Sequence, residues 1–164
     1  MTSETAMETA TKDSREQEMR QFISFTIGAE EYGVDIMEIR EIKGWTPATP
    51  LPNVPRHIRG VINLRGAVVP VFDLRMRFSG IMTEPSAHHV VMVVSMKERI
   101  MGVLVDAVAD ILTVAVTDVQ PLPEFEHRND AQFLSGLVNM DGRMVALLDL
   151  ETLLLTDTMA QTAA

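Results

Sequence analysis

Apolar residues in this chain fall in short runs, many alternating with polar positions and rich in Val and Ile, and Gly, Pro, Asn or Asp interrupts them at close intervals. That is the period-two signature of strands, not the 3.6-residue period of helices, and it predicts a mainly β protein. Residues 22–27 and 32–36 flank the polar stretch Gly28-Ala29-Glu30-Glu31 and predict a hairpin. Residues 61–64 and 67–72 flank Arg65-Gly66, and residues 90–96 and 101–105 flank Lys97-Glu98-Arg99. Residues 137–140 and 144–148 flank Asp141-Gly142, the strongest hairpin dipeptide in the chain. The pattern thus predicts two hairpins in each half.

The halves repeat one another. Ile58-Arg59-Gly60-Val61-Ile62-Asn63-Leu64-Arg65-Gly66 and its continuation to Leu74 align without gaps on the run from Leu134 to Leu150, with Gly, Asn, Gly, Val, Asp and Leu in register. Upstream, Gly33-Val34 matches Gly102-Val103, and Glu41-Ile42 matches Asp110-Ile111. Four or five short strands cannot bury the face of a flat sheet alone, so each half is expected to curl into a small barrel. The expected organisation is a disordered tail over residues 1–20, a first barrel over 21–84, a second barrel with a short C-terminal helix over 85–156, and a flexible tail over 157–164. Between the hairpins, residues 45–55 carry four prolines and predict an extended crossing with few backbone donors. Residues 120–132 predict a surface loop. After each second hairpin the period lengthens, predicting helical turns from Leu74 and from Leu150, with Asp149 as an N-cap.

Composition narrows the function. The 164 residues are 46% hydrophobic, enough for a sizeable core, and no apolar run approaches the length of a membrane-spanning helix. The N-terminal residues lack the apolar core of a secretory signal, and Cys is absent, which points to the cytoplasm. A net charge of −9 argues against nucleic acid. The charge is unevenly spread: residues 44–77 hold five Arg against one acid, whereas 78–164 hold twelve acids against four Lys or Arg. Opposed patches of this kind suit protein contacts.

No residues suggest catalysis, a metal or a cofactor. The four His show no ligand spacing, and no phosphate-binding loop or nucleophile elbow is present. Asp73 and Asp149 occupy equivalent positions in the repeat, so capping explains them better than acid–base chemistry. Of the 12 Met, most of those in the strand regions (Met92, Met96, Met101, Met140 and Met144) alternate with Val, Ile and Leu and read as core residues.

The ordered series Tyr32-Gly33-Val34-Asp35-Ile36, Glu38-Ile39-Arg40-Glu41-Ile42, Ile58 to Gly66, Val69-Pro70-Val71-Phe72-Asp73-Leu74-Arg75, Gly102 to Val108 and Asp141 to Glu151 resembles the CheW family over about residues 20–156. The resemblance implies two SH3-like five-stranded β-barrel subdomains with a hydrophobic groove between them. It also implies a cytoplasmic chemotaxis adaptor in a two-component system. Such an adaptor couples the regulatory domain of the histidine kinase CheA to the cytoplasmic tips of chemoreceptors without catalysis, reaching the membrane only through the receptors. The same resemblance marks Glu41 and Arg65 as functional, with Ile39, Gly60 and Val108 as further binding candidates. Arg65 corresponds to Asp141, so the fold does not demand a guanidinium at that turn. Glu41 corresponds to Asp110, which leaves a shared structural purpose open. A groove that holds a small apolar ligand is the alternative function, and the isolated chain is expected to be a monomer.

Overall fold

All four predicted hairpins form in the computed structural model, which describes residues 18–123 and 131–153. The strands are β1 (Met19–Ile27), β2 (Glu30–Asp35), β3 (Ile39–Gly44), β4 (Ile58–Leu64), β5 (Ala67–Asp73), β6 (Val90–Met96), β7 (Arg99–Val105), β8 (Ala107–Ala115), β9 (Leu134–Met140) and β10 (Arg143–Leu148). Helix α1 (Leu74–Ser79) follows β5, and residues 150–153 are helical after β10. Asp73 caps α1 by accepting from the Met76 N–H at 3.2 Å, and Asp149 accepts from the Thr152 N–H at 3.2 Å, as expected of N-caps. The rest of the predicted C-terminal helix and both predicted tails lie outside the described residues, except Glu18, Met19 and Arg20. Met19 and Arg20, with Gln21, belong to β1 and pair with Thr113–Ala115 of β8, so the expected tail ends earlier than residue 20. Sequence pattern hid this because the backbone partners come from β8, far along the chain.

The strands form two five-stranded sheets, sheet I in the order β8-β1-β2-β10-β9 and sheet II in the order β3-β6-β7-β5-β4. Replacing each strand by its repeat equivalent converts one order into the other. Each sheet takes the first hairpin of one repeat and the last three strands of the other. The expected division at residues 84 and 85 therefore does not separate the sheets: the repeats exchange their first hairpins. The exchange is fixed by parallel pairing of β2 with β10 and of β5 with β7, which places Gly33 opposite Leu147 and Gly102 opposite Val71.

Nor is either sheet a barrel closed by ladders. Among the described residues no ladder joins the end strands, β8 to β9 or β3 to β4. Each seam is instead crossed by one bridge from the connector, Thr49 with Val61 and Gln120 with Leu137. Prolines at 47, 50 and 52 deny the first connector the donors a longer ladder needs.

The central strands of each sheet are buried on both faces, which is why β6 reads as a continuous apolar run. Met92 and Val94 face a shared core containing Phe25, Tyr32, Phe72 and Phe133, while Val91 and Val93 face a separate core with Ile62, Val69 and Val71. On the far side of sheet I, Phe22, Val138, Val145 and Leu147 form the equivalent cluster. Met92 and Met101 are buried as expected of core residues, whereas Met144 is exposed.

Candidate functional site

The β4–β5 turn places Arg65 and Gly66 in left-handed backbone, φ 52° and 87°, and the Asn63 side chain accepts from the Gly66 N–H at 2.9 Å. This fixes the turn and leaves the Arg65 side chain 80% exposed. From there its guanidinium reaches the Glu41 carboxylate on β3 at 2.9 Å, across the seam between the end strands of sheet II. The second repeat keeps the turn, with Asn139 accepting from the Gly142 N–H at 3.0 Å, but carries Asp141 at its tip. Asp110, the match of Glu41, uses its carboxylate on the Ile111 N–H at 3.0 Å, while its backbone exchanges hydrogen bonds with the Ser24 hydroxyl. The two acids thus share no structural purpose, and the Glu41–Arg65 pair belongs to the first repeat alone. Ile42 and Val68, on the same two elements, are 43% and 69% exposed. An exposed pair of this kind adds at most about 1 kcal/mol to stability, so it is available for recognition at little cost to the fold.

The other three candidates are structural neighbours of the core. Ile39 and Val108 occupy equivalent positions on β3 and β8, opposite Val94 and Phe25, and both are half-buried against the shared core. Gly60 sits at a bulge in β4 with φ 138°, directly beneath Thr49 of the connector. The structure therefore joins Glu41 with Arg65, places Ile39 two residues away on the same strand, and assigns Gly60 to the connector crossing.

Sequence reasoning missed two features that need distant residues. Asp106 accepts from the Gly28 N–H at 2.7 Å and from Arg75, with His89 at 3.5 Å, which ties the β1–β2 turn of sheet I to α1 and the loop before β6. Although burial opposes it, the hydrogen bonds from Arg75 and Gly28, helped by the charges of Arg75 and His89, hold this carboxyl below the usual range. The second feature is a cavity of about 500 Å³ at the end of sheet I, beside Asp35, Glu38 and Asp149. Desolvation, reinforced by Asp35, Asp149 and Glu151, pushes Glu38 up from 4.5 to about 7.

The native state therefore holds a proton on Glu38 that the unfolded chain has released between pH 4.5 and 7, so this residue lowers stability as pH rises through that window. Glu38→Gln should raise the urea midpoint at pH 8 and match the parent chain near pH 4.5. The gain should be about 1 kcal/mol, since the carboxyl is roughly half solvated and screened. Equal midpoints at both pH values would show that the carboxylate carries no penalty.

Among the described residues no three His, Asp or Glu are grouped to hold a metal ion, and no helix is long and apolar enough to cross a membrane. Asp73 and Asp149 are engaged in capping and in bonds to Thr83 and Thr152.

Comparison with known proteins agrees with this architecture. The family model described as the CheW-like domain matches residues 21–157. The chain is 46% identical over 133 residues to a chemotaxis protein CheW of Rhizobium meliloti, covering 81% of this chain and 86% of the relative. It is 38% identical over 152 residues to a chemotaxis protein CheW of Klebsiella aerogenes, covering 93% and 92%. The crystal structure of a scaffolding protein CheW from Thermoanaerobacter tengcongensis superposes with a TM-score of 0.74 at 28% identity, over 81% of this chain and 86% of that one. Sequence repeat, sheet order and these matches together place the chain in the CheW family.

Proposed function

We propose that this protein is a cytoplasmic chemotaxis adaptor that couples the regulatory domain of the histidine kinase CheA to the cytoplasmic tips of methyl-accepting chemoreceptors. It acts by binding alone, and no bond is made or broken. Each sheet, with its own core, serves as one SH3-like subdomain, and the half-buried Ile39 and Val108 line an apolar groove that accepts a receptor's helical tip. The observation that carries the reading is the Glu41–Arg65 pair. It bridges an exposed seam beside exposed Ile42 and Val68, and the equivalent turn of the second repeat forms without it. The Arg-rich first half and acid-rich second half supply opposed charge for complementary contacts.

Co-sedimentation of the purified chain with CheA and a receptor cytoplasmic fragment, read alongside kinase autophosphorylation, tests the proposal. Assembly with altered kinase activity supports it. Absence of association with either partner returns the groove to the small-ligand reading. Within the assay, Arg65→Ala should weaken assembly about tenfold or more, as truncation of an interface Arg does. It should also leave stability within about 0.5 kcal/mol, as for an exposed surface position. Destabilisation that matches the loss of assembly would make Arg65 structural.

A further inference from the structure

Among the described residues, the end of sheet I holds a cavity whose counterpart in sheet II is filled. In the first repeat the fully buried Asp73 carboxylate accepts from the Thr83 N–H at 2.9 Å and from its hydroxyl at 2.7 Å. Arg59 donates to the Thr83 carbonyl at 3.1 Å and stands 3.6 Å from the same carboxylate. The segment after α1 thus enters the end of sheet II and meets both an acid and a guanidinium there. In the second repeat Asp149 and Ser135 take the places of Asp73 and Arg59, and both line the open cavity of about 500 Å³.

Phe22, Val114, Leu147 and Leu150 give this cavity an apolar wall. Its charged lining is Asp35, Glu38 and Asp149 against one cation, Arg20. Glu151 adds negative charge nearby, offset by Lys97 at 2.5 Å. Asp35 already serves the Met37 N–H at 2.9 Å, and Asp149 the Thr152 N–H and hydroxyl. We propose that this cavity is a docking site for a segment of a partner protein, which seats an Arg or Lys side chain against Glu38 and lays its aliphatic stem on the apolar wall. The occupant supplies the cation that Ser135 cannot. Residues 154–164 contain no Lys or Arg and add Asp157, so their charge opposes the site, whereas residues 1–17 carry Lys12 and Arg15 ahead of the lining residue Arg20 and are the occupant from within the chain that the test must separate. A seated cation favours ionised Glu38 over the protonated form that burial and its acidic neighbours promote. Binding therefore releases a proton and tightens as pH rises through 7. The proposal goes beyond the adaptor reading and does not rest on it, because its test uses neither kinase nor receptor.

The full chain, labelled with nitrogen-15, would be titrated with the peptide acetyl-Gly-Val-Arg-Thr-Val-amide and with the same peptide carrying Gln for Arg. The expected result is saturable shifts of the backbone amides of Arg20, Phe22, Val114 and Leu147. Affinity should be about tenfold higher at pH 8 than at pH 6, the change in the ionised fraction of a group titrating near 7. The Gln peptide and the Glu38→Gln chain should each lose at least about threefold of the pH 8 affinity, with most of the pH dependence gone. Failure of these amides to shift, equal binding of the two peptides, or binding that requires deletion of residues 1–17 or of residues 154–164 would each overturn the proposal, the last two by giving the cavity to the chain's own ends.

Discussion

A chain cut between residues 84 and 85 should yield two fragments that are each largely unfolded alone and regain the two-sheet fold only when mixed. The cut respects the sequence repeat, yet every ladder that joins one hairpin or lone strand to another crosses it: β1 with β8, β2 with β10, β3 with β6, and β5 with β7. Within residues 18–84 only the β1–β2 and β4–β5 ladders survive, and β3 has no ladder partner. Isolated two-stranded hairpins are marginal in water. The shared core is divided as well, with Phe25 and Phe72 on one fragment and Met92, Val103 and Phe133 on the other. Amide dispersion and cooperative melting should be absent from each fragment and return in an equimolar mixture, with a Tm that rises with concentration because association now limits folding. Cooperative melting of either fragment by itself would show that a half-chain is an independent folding unit and that the hairpin exchange is not obligatory.

Gly60→Ala should destabilise the chain by about 3–5 kcal/mol, the sum expected for a non-glycine residue in a sparsely populated conformation and for overpacking against rigid neighbours. A Cβ at this position would lie 2.1 Å from the Thr49 carbonyl oxygen and 2.6 Å from its carbon, while φ 138° strains any L residue. Because the obstacle is backbone, relief requires moving the connector and breaking the paired bonds between Thr49 and Val61, 2.8 and 2.9 Å. Gly136, the repeat equivalent, has no positive φ, and its Cβ would meet the Val119 side chain at 2.7 Å and the Gln120 carbonyl oxygen at 3.0 Å rather than backbone at 2.1 Å. Gly136→Ala should therefore cost less, and Gly66→Ala, with φ 87° but open space around it, should carry only the conformational penalty. Urea denaturation of the three variants gives the ranking. Loss of partner binding in a Gly60 variant follows from its instability, and only a variant that stays folded yet binds poorly would make Gly60 a contact residue.

What could be read from the chain was local. Strand positions, the four turns and the two Asp caps each depend on a few adjacent residues whose conformational preferences are strong, such as Asp141-Gly142 at a turn or Asp73 before Leu74. Resemblance across the ordered series Glu38 to Glu41 and Ile58 to Asp73 was enough to indicate the family. Ile39 and Arg65 in that series, and Val108 in the run from Gly102, were also named as candidates, but their different environments were not visible there. Period-two alternation fixes which residues share a face, not which strand lies alongside.

The sequence by itself determined the β class, the duplication and the identities of the turn and cap residues, because these follow from backbone preference and short-range hydrogen bonding. Only the tertiary structure decided that the repeats trade their first hairpins, that Arg65 meets Glu41 while Asp141 and Asp110 do not pair, and that, among the described residues, Thr83 fills one sheet end while a cavity lies beside Glu38 at the other. These outcomes depend on parallel pairing and side-chain meetings between residues far apart in the chain, and both are set by burying three apolar clusters at once, which no local pattern encodes.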